Sequence, residues 1–229
     1  MLFGDPTFLL VIPALILAVY AQARVKGAYR KYSQVFASSR LTGAQVAHQL
    51  LQSAGAGDIV IEKQPGELTD HYDPRKRVLR LSQGVHDSTS ISALGIAAHE
   101  TGHAIQHRTH YQPMALRSLI YPVANIGSTL AFPLFFVGFM FGKNGTGVLM
   151  DIGILLFTGA VAFSVVTLPV EFNASKRALA LLEERRFLTP DEMVGAKKVL
   201  GAAALTYVAS TAMAAMQLLR MVLLRSSRD

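Results

Sequence analysis

The sequence has no cysteine among its 229 residues. A disulfide framework is therefore excluded, and so are thiolate ligands for a metal ion. Any metal centre must be built from histidine, aspartate or glutamate side chains. We also find no internal repeats and no low-complexity tracts. The length suits one domain, either alone or with membrane segments.

Charge is scarce as well. Charged residues make up 16% and hydrophobic residues 51% of the chain, whereas an ordinary soluble domain has roughly 25% charged residues. The 22 Lys and Arg outnumber the 15 Asp and Glu, which gives a formal net charge of +7. Because the basic residues do not alternate with aromatic residues that could stack on bases, we expect no nucleic-acid partner. In so apolar a chain, the basic excess indicates orientation in a lipid bilayer.

Long apolar runs predict about four transmembrane helices, since a helix needs roughly 20 mostly apolar residues to cross a bilayer. The runs lie at about 7–23, 118–141, 148–170 and 199–219. The two middle runs carry only one charge, Asp151, and flank the short loop "GKNGTG", which predicts a helical hairpin. The fourth run is diluted by polar residues and has basic residues at both ends, so charge does not orient it.

The first apolar run has two interpretations. Residues 21–23, Ala-Gln-Ala, resemble the cleavage site of a signal peptide. However, the basic cluster follows the apolar run instead of preceding it, with Arg24, Lys26, Arg30 and Lys31. This order is the reverse of a signal peptide and predicts an uncleaved anchor, with its N-terminus outside and residue 24 onward in the cytoplasm.

The main polar region, residues 24–117, mixes helix and strand patterns. Residues 41–57 predict an amphipathic helix that ends at glycines, and "DIVIEKQ" predicts a short strand. The segment "DHYDPRKRVLRLS" predicts a hairpin that turns at Asp73-Pro74. A further helix begins after Ser88 or Ser90, either of which can cap it, and runs to about residue 108.

That last helix carries the strongest motif in the chain, within "GIAAHETGHAIQH" at residues 95–107. His99 and His103 are about 40° apart on a helix and share one face, while Glu100 points about 100° away from His99. This is the H-E-x-x-H arrangement of zinc proteases, in which two imidazoles bind zinc and the glutamate is the general base. The alternative is a pair of surface histidines. The apolar residues 95–98 that precede the motif argue against this alternative, because they indicate a buried helix. Buried histidines without partners are energetically costly, so a buried pair is expected to have a partner.

The third zinc ligand must come from elsewhere in the chain. His107 has drifted about 80° from His99 around the helix, which favours a solvent-facing position. Gln106 and Thr109 occupy the glycine and histidine positions of the longer motif H-E-x-x-H-x-x-G-x-x-H. Glu171 follows "VTLPV" at the end of an apolar run, where an unpaired charge is expensive and zinc would satisfy it. The alternative is a glutamate at the water interface.

The other downstream acids have ordinary interpretations. Glu183 and Glu184 precede two arginines, as at a solvated helix end. Thr189 and Glu192 have the spacing of a capping box, with Asp191 in the first turn of the same helix. These residues are therefore weaker ligand candidates than Glu171.

Several segments together carry a family resemblance. They are "LTDHYDPRKRVLRLS", "STSISALGIAAHETGHAIQH", "PVANIGS", "LPVEFNASKRAL" and "GAKKVLGAAALTYVA". The chain resembles the YugP-type family of membrane neutral zinc metallopeptidases over nearly its whole length, which implies zinc and peptidase activity at a membrane. "EFNAS" is also similar to the third-ligand segment of the HtpX and CAAX prenyl protease group, which implies Glu171 as a ligand. Ser175 stands where that group has an aspartate, so an acid that orients a zinc histidine is missing here.

The predicted fold is mainly α: an integral membrane protein with about four transmembrane helices and a small zincin-like cytoplasmic α+β portion. The expected parts are an N-terminal anchor (1–23), the zincin-like region (24–117), a transmembrane hairpin (118–170), cytoplasmic third-ligand helices (171–198), and a C-terminal transmembrane helix and tail (199–229).

The predicted function is a zinc-dependent endopeptidase of the bacterial plasma membrane that cleaves membrane or membrane-adjacent proteins on the cytoplasmic side. His99, His103 and Glu171 bind Zn²⁺, and Glu100 is the general base. We expect "RVLRLS" to offer an exposed strand edge to the substrate backbone. Two alternatives are an intramembrane protease of the site-two type and a non-catalytic scaffold with a structural metal. The sequence sets no oligomeric state.

Overall fold

The computed structural model describes residues 6–141 and 147–227. The loop predicted at 142–147 therefore lies outside the described residues, apart from Gly147. The described elements are, in chain order, a 3₁₀ helix (Pro6–Leu10), α1 (Ile12–Tyr32), α2 (Gly43–Ser53), β1 (Val60–Gln64), β2 (His71–Asp73), β3 (Val78–Ser82), α3 (Gln83–His86), α4 (Ile91–Arg108), α5 (Gln112–Phe141), α6 (Gly147–Glu184) and α7 (Pro190–Ser226). The predicted class, mainly α with a small α+β portion, is confirmed.

Among the described residues, four helical stretches are long and apolar enough to cross a membrane: Pro6–Tyr32, Gln112–Phe141, Gly147–Glu184 and Pro190–Ser226. They contain the four predicted apolar runs and extend well beyond them. The helix α6 continues without a break through residue 171, so Glu171 lies inside a long helix and not in a loop. The helix α4, with the H-E-x-x-H motif, is not one of the four candidate spans.

The chain divides into two compact units. One, here called the span unit, contains residues 1–21, 115–168 and 206–229. The other, here called the motif unit, contains residues 22–114 and 169–205. Because α1, α6 and α7 are continuous helices, each contributes one part of its length to the span unit and the other part to the motif unit.

The span unit is packed through small residues. A Cβ atom on Gly153 of α6 would lie 2.8 Å from the Ala131 carbonyl oxygen of α5, and one on Gly138 would lie 2.7 Å from the Met150 nitrogen. Such close backbone approach is typical of helices packed in a bilayer, where van der Waals contact replaces the hydrophobic effect. The buried cluster around this contact includes Phe135, Phe157 and Met221.

Polar contacts join three segments at one end of the span unit. Arg225, near the end of α7, donates from Nε to Asp151 Oδ1 near the start of α6 at 2.8 Å. One turn earlier, Arg220 Nε lies 3.4 Å from Thr7 Oγ1, and its guanidinium lies 5.4 Å from the centre of the Phe8 ring. The chain's first described residues, the start of α6 and the end of α7 therefore lie at the same end of this unit.

In the motif unit, the predicted amphipathic helix is confirmed as α2. Thr42 and Gln45 form a capping box at its start, each side chain accepting from the backbone N–H of the other. The apolar face predicted from the sequence is buried, with Val46, Leu50 and Leu51 each at most 1% exposed. This face packs against α4, which it helps to hold in the centre of the unit.

The strands form a small mixed sheet in the order β1-β3-β2. The predicted hairpin is confirmed: β2 and β3 pair antiparallel, and Asp73 Oδ1 accepts from the N–H groups of Arg75 and Lys76 in the turn. Strand β1 pairs parallel with β3 on its other side.

The prediction that "RVLRLS" offers an exposed edge is wrong. Residues 78–80 have a partner strand on both sides. Just before β2 begins, the Asp70 carboxylate accepts from the Ser82 N–H at 2.7 Å. The hairpin prediction correctly indicated a strand, but it does not reveal which strand of a sheet is central, because that depends on non-local pairing.

Candidate active site

The H-E-x-x-H helix is the predicted one. Of the two possible caps, Ser90 is used: its side chain accepts from the Ala93 N–H, and α4 then runs from Ile91 to Arg108. Fifteen of its residues, through Gln106, are buried, including both motif histidines and Glu100. The histidines are thus interior groups of the motif unit and not a surface pair.

Glu171 lies directly opposite the two histidines. Its Oε2 atom is 3.3 Å from His99 Nε2 and 3.4 Å from His103 Nε2. One ligand atom from each of the three residues falls within 4.8 Å of the others, and all three residues are buried. The structure therefore brings together the three side chains that the sequence nominated as metal ligands, although Glu171 lies 68 positions after His103 in the chain.

A glycine in the motif permits this approach. A Cβ atom on Gly102 would lie 2.7 Å from the carbonyl oxygen of Ala174 and 3.2 Å from its Cα, closer than real Cβ atoms come. Gly102 stands between the two motif histidines, and Ala174 is three residues after Glu171. The backbones of α4 and α6 therefore touch beside the three ligand atoms, which only glycine at this position allows.

Each of the two imidazole rings has a hydrogen-bonding partner at its Nδ1 atom. Ser175 Oγ lies 3.1 Å from His99 Nδ1, and Gln106 Oε1 lies 3.0 Å from His103 Nδ1. A metal-ligating histidine usually donates its other N–H to such a partner, which fixes the ring and its tautomer. Ser175 therefore contacts His99 with a neutral hydroxyl group.

Carboxylates give the site an excess of negative charge that shifts the pKa values of neighbouring groups. Burial disfavours the charged form of His103, but the Glu171 and Glu100 carboxylates outweigh it and raise the pKa of His103 above its ordinary value. Nearby, burial raises the pKa of Asp70 against the hydrogen bonds from Ser82, and the Glu100 charge adds to the rise. A divalent cation would relieve the repulsion among these carboxylates.

The residues that the sequence analysis ranked as weaker ligand candidates lie outside the group of converging side chains. His107 is exposed, as predicted, and its Nδ1 lies 2.9 Å from the hydroxyl of Tyr72. Glu183 and Glu184 are exposed at the end of α6. Glu192 lies 2.8 Å from the Thr189 N–H in the predicted capping box and also accepts from Ser38.

Sequence reasoning missed two contributors. Gln106 was noted only as a failure of the longer motif, and Gly102 carried no assignment. The signal for Gly102 was a glycine inside a helix, which costs about 1 kcal/mol relative to alanine unless packing requires it. The role of Gln106 had no local signal, because its partners on α6 are more than 60 residues away.

The three side chains fit zinc. Two neutral imidazoles and one carboxylate are a common protein set for a catalytic zinc ion, and three protein ligands leave the fourth position for water. The Nε2 atoms and the Glu171 oxygen converge, while both Nδ1 atoms are already engaged. A histidine pair and a carboxylate on adjoining helices, in a chain with four apolar spans, are the features of a membrane metallopeptidase.

Comparisons with known proteins lead to the same class. The family model described as "Putative neutral zinc metallopeptidase" matches residues 7–226, and the chain belongs to this family. The chain is also 47% identical to "Putative membrane protease YugP" of Bacillus subtilis (strain 168) over 215 residues, which is 94% of each chain. No solved structure matches. The resemblance predicted from the sequence is thus confirmed.

Proposed function

We propose that this protein is a membrane-embedded zinc endopeptidase that cleaves membrane or membrane-adjacent proteins. The observation that carries the proposal is the convergence of His99, His103 and Glu171 in a chain of a zinc metallopeptidase family. Membership of the family supports zinc and peptidase activity, and the four apolar helices support a membrane location. With one glutamate ligand after H-E-x-x-H, the site is of the gluzincin type.

In this proposal each residue has a separate task. When bound, zinc polarises the peptide carbonyl and lowers the pKa of a water molecule to about 7. Glu100 takes a proton from the attacking water and delivers it to the leaving amine. Its position supports this role, since it adjoins His99 on α4 yet is absent from the group whose ligand atoms converge. Ser175 and Gln106 keep the two imidazoles in place.

The location of the motif helix supports one of the two protease alternatives. In a site-two-type enzyme the zinc helix lies in the bilayer, whereas α4 is outside the four candidate spans and ends in exposed polar residues. Three protein ligands plus a buried glutamate also differ from the four ligands usual in a structural zinc site. The observations therefore favour a catalytic site outside the bilayer core.

We further propose that this site faces the cytoplasm. The basic residues that follow the first apolar run, such as Arg24 and Arg30, support a cytoplasmic position for the segment after it. By the same rule, arginines at the end of α7 would argue for a cytoplasmic C-terminus. In the span unit, however, Arg225 pairs with Asp151, and the Arg220 side chain is buried beside Phe8. These arginines are therefore compatible with an external C-terminus beside an external N-terminus.

The direct test is metal-dependent proteolysis. We expect protein purified in detergent to hold about one zinc ion and to cleave an unfolded membrane-protein substrate. A chelator should abolish cleavage, and stoichiometric zinc should restore it. Cleavage that persists after complete zinc removal would contradict the proposal, as would a zinc content that His99→Ala leaves unchanged.

A further inference from the structure

One buried side chain beside the site forms three hydrogen bonds. Gln106 is 0% exposed. Its Oε1 atom is 3.0 Å from His103 Nδ1, and its Nε2 atom donates to the Val170 carbonyl at 2.8 Å and to Asn173 Oδ1 at 3.0 Å. A buried amide is costly unless it is satisfied in this way, so its place on α4 calls for an explanation.

The oxygen end of the Gln106 amide determines which ring nitrogen of His103 carries a proton. An amide oxygen accepts and cannot donate, so the contact with Gln106 requires His103 to carry its proton on Nδ1. In the neutral ring the lone pair of His103 is then on Nε2, the atom that lies 3.4 Å from Glu171 Oε2. The contact therefore selects the tautomer that can bind a metal ion.

The second end of the amide holds the other ligand helix. Val170 directly precedes Glu171, and Asn173 follows it by two residues. Asn173 Oδ1 also accepts from Arg177 Nε at 2.8 Å, and the Arg177 guanidinium lies 5.9 Å from the centre of the Tyr111 ring. The Gln106 side chain thus connects α4, which carries His103, to the helical turn of α6 that carries Glu171.

We infer that Gln106 is a positioning residue of the metal site: it sets the tautomer of His103 and the placement of Glu171 together. This inference rests on the proposed zinc function. An amide suits both tasks, because a carboxylate here could accept from His103 but could not donate to α6. It would also add another buried negative charge near Glu171 and Glu100.

Two variants separate the tasks. Gln106→Met has a similar length and removes both sets of hydrogen bonds, whereas Gln106→Glu keeps the acceptor for His103 and loses the donors to α6. We expect Gln106→Met to weaken zinc binding about 10- to 100-fold, as loss of such supporting groups typically does. Gln106→Glu should recover part of that loss. Zinc affinity is measured by chelator competition on the full-length protein in detergent, and cobalt substitution reports ligand geometry through its visible spectrum.

Thr101→Val is the matched control. Thr101 is equally buried on α4 and bonds only the Ala97 carbonyl, so its loss tests general destabilisation of the helix. It should leave zinc affinity and the cobalt spectrum unchanged, while Gln106→Met shifts the spectrum. If Gln106→Met does not fold, Gln106→Glu decides the matter: because it loses the donors to α6, a zinc affinity below that of the wild type together with an altered cobalt spectrum supports the inference.

Three results would overturn the role of Gln106: equal zinc loss in Thr101→Val and Gln106→Met, no recovery in Gln106→Glu, or a wild-type zinc affinity and cobalt spectrum in Gln106→Glu. The proposed function would fail differently. In that case the wild type would bind zinc no more tightly than His99→Ala, whatever residue occupies position 106.

Discussion

At the scale of single residues, the proposed ligand and general-base roles fall on neighbouring positions of one helix. His99 and His103 direct Nε2 toward Glu171, while Glu100 projects from an adjacent face of α4. The separation follows from the helical angle of about 100° per residue. Ligand and base roles can therefore be tested independently, although the residues adjoin in sequence.

We expect Glu100→Gln to keep near-stoichiometric zinc and to lose peptidase activity by a factor of about 10² to 10⁴, as loss of a general base typically does. The amide cannot take the proton from water, yet it leaves the three ligands in place. Zinc content by mass spectrometry and turnover on the same sample check both parts. Unchanged turnover would show that another group is the base.

Glu171→Ala should lower zinc affinity and the melting temperature together, because metal that binds only the folded state stabilises it. At a zinc concentration of 100 times Kd, that contribution is about 2.7 kcal/mol in the wild type. Glu183→Ala is the matched control on the same helix, since Glu183 is exposed. It should change neither quantity, and zinc loss in Glu183→Ala with retention in Glu171→Ala would reverse the assignment.

At the scale of elements, the decisive feature is the contact between α4 and α6. Helix propensity alone favours alanine over glycine at an interior helix position, by a free energy of roughly 1 kcal/mol. At Gly102 this preference is outweighed, since a methyl group there would collide with the Ala174 backbone. A carbonyl oxygen within a helix cannot move aside as a flexible side chain would.

Gly102→Ala should therefore destabilise the motif unit, by about 1–3 kcal/mol on the scale of overpacked cores, and should weaken zinc binding. The comparison is Gly201→Ala in α7, where no atom lies within 4 Å of an added Cβ. That change should be neutral or slightly stabilising. Thermal unfolding and chelator competition measure the two effects, and equal behaviour of both variants would contradict the close contact.

At the scale of the whole molecule, the proposed sidedness rests on the sequence and on the span unit together. The basic residues after the first apolar run support a cytoplasmic end for α1. The ion pair of Arg225 with Asp151 places the end of α7 at the same end of the span unit as the start of α6. A chain with four spans returns its C-terminus to the side of its N-terminus, which agrees with this pairing.

Single cysteines test this topology, since the chain has no cysteine of its own. Asn144→Cys, in the loop outside the described residues, and Ser227→Cys should react with an impermeant reagent from outside intact cells. Arg75→Cys, in the turn of the hairpin, should react only after permeabilisation. The opposite pattern at Asn144 and Arg75 would invert the orientation.

Local sequence patterns determined most elements of this protein. The apolar runs identified the four candidate spans, a serine cap at position 88 or 90 and the helical period located the motif helix, and Asp73-Pro74 located the hairpin turn. These features depend on residues close together in the chain, and short-range physics is therefore sufficient. The motif itself named two histidines and a glutamate for the same reason.

The sequence left other matters open because they depend on contacts between distant segments. It identified β3 as a strand but not as the central one, since pairing with β1 is non-local. It named Glu171 as a candidate, whereas the contact of Gly102 with Ala174 and the hydrogen bonds of Gln106 to α6 belong to the packed structure alone. A histidine pair follows from spacing along one helix, but the distance of about 3.3 Å from His99 to its carboxylate requires two helix backbones to touch.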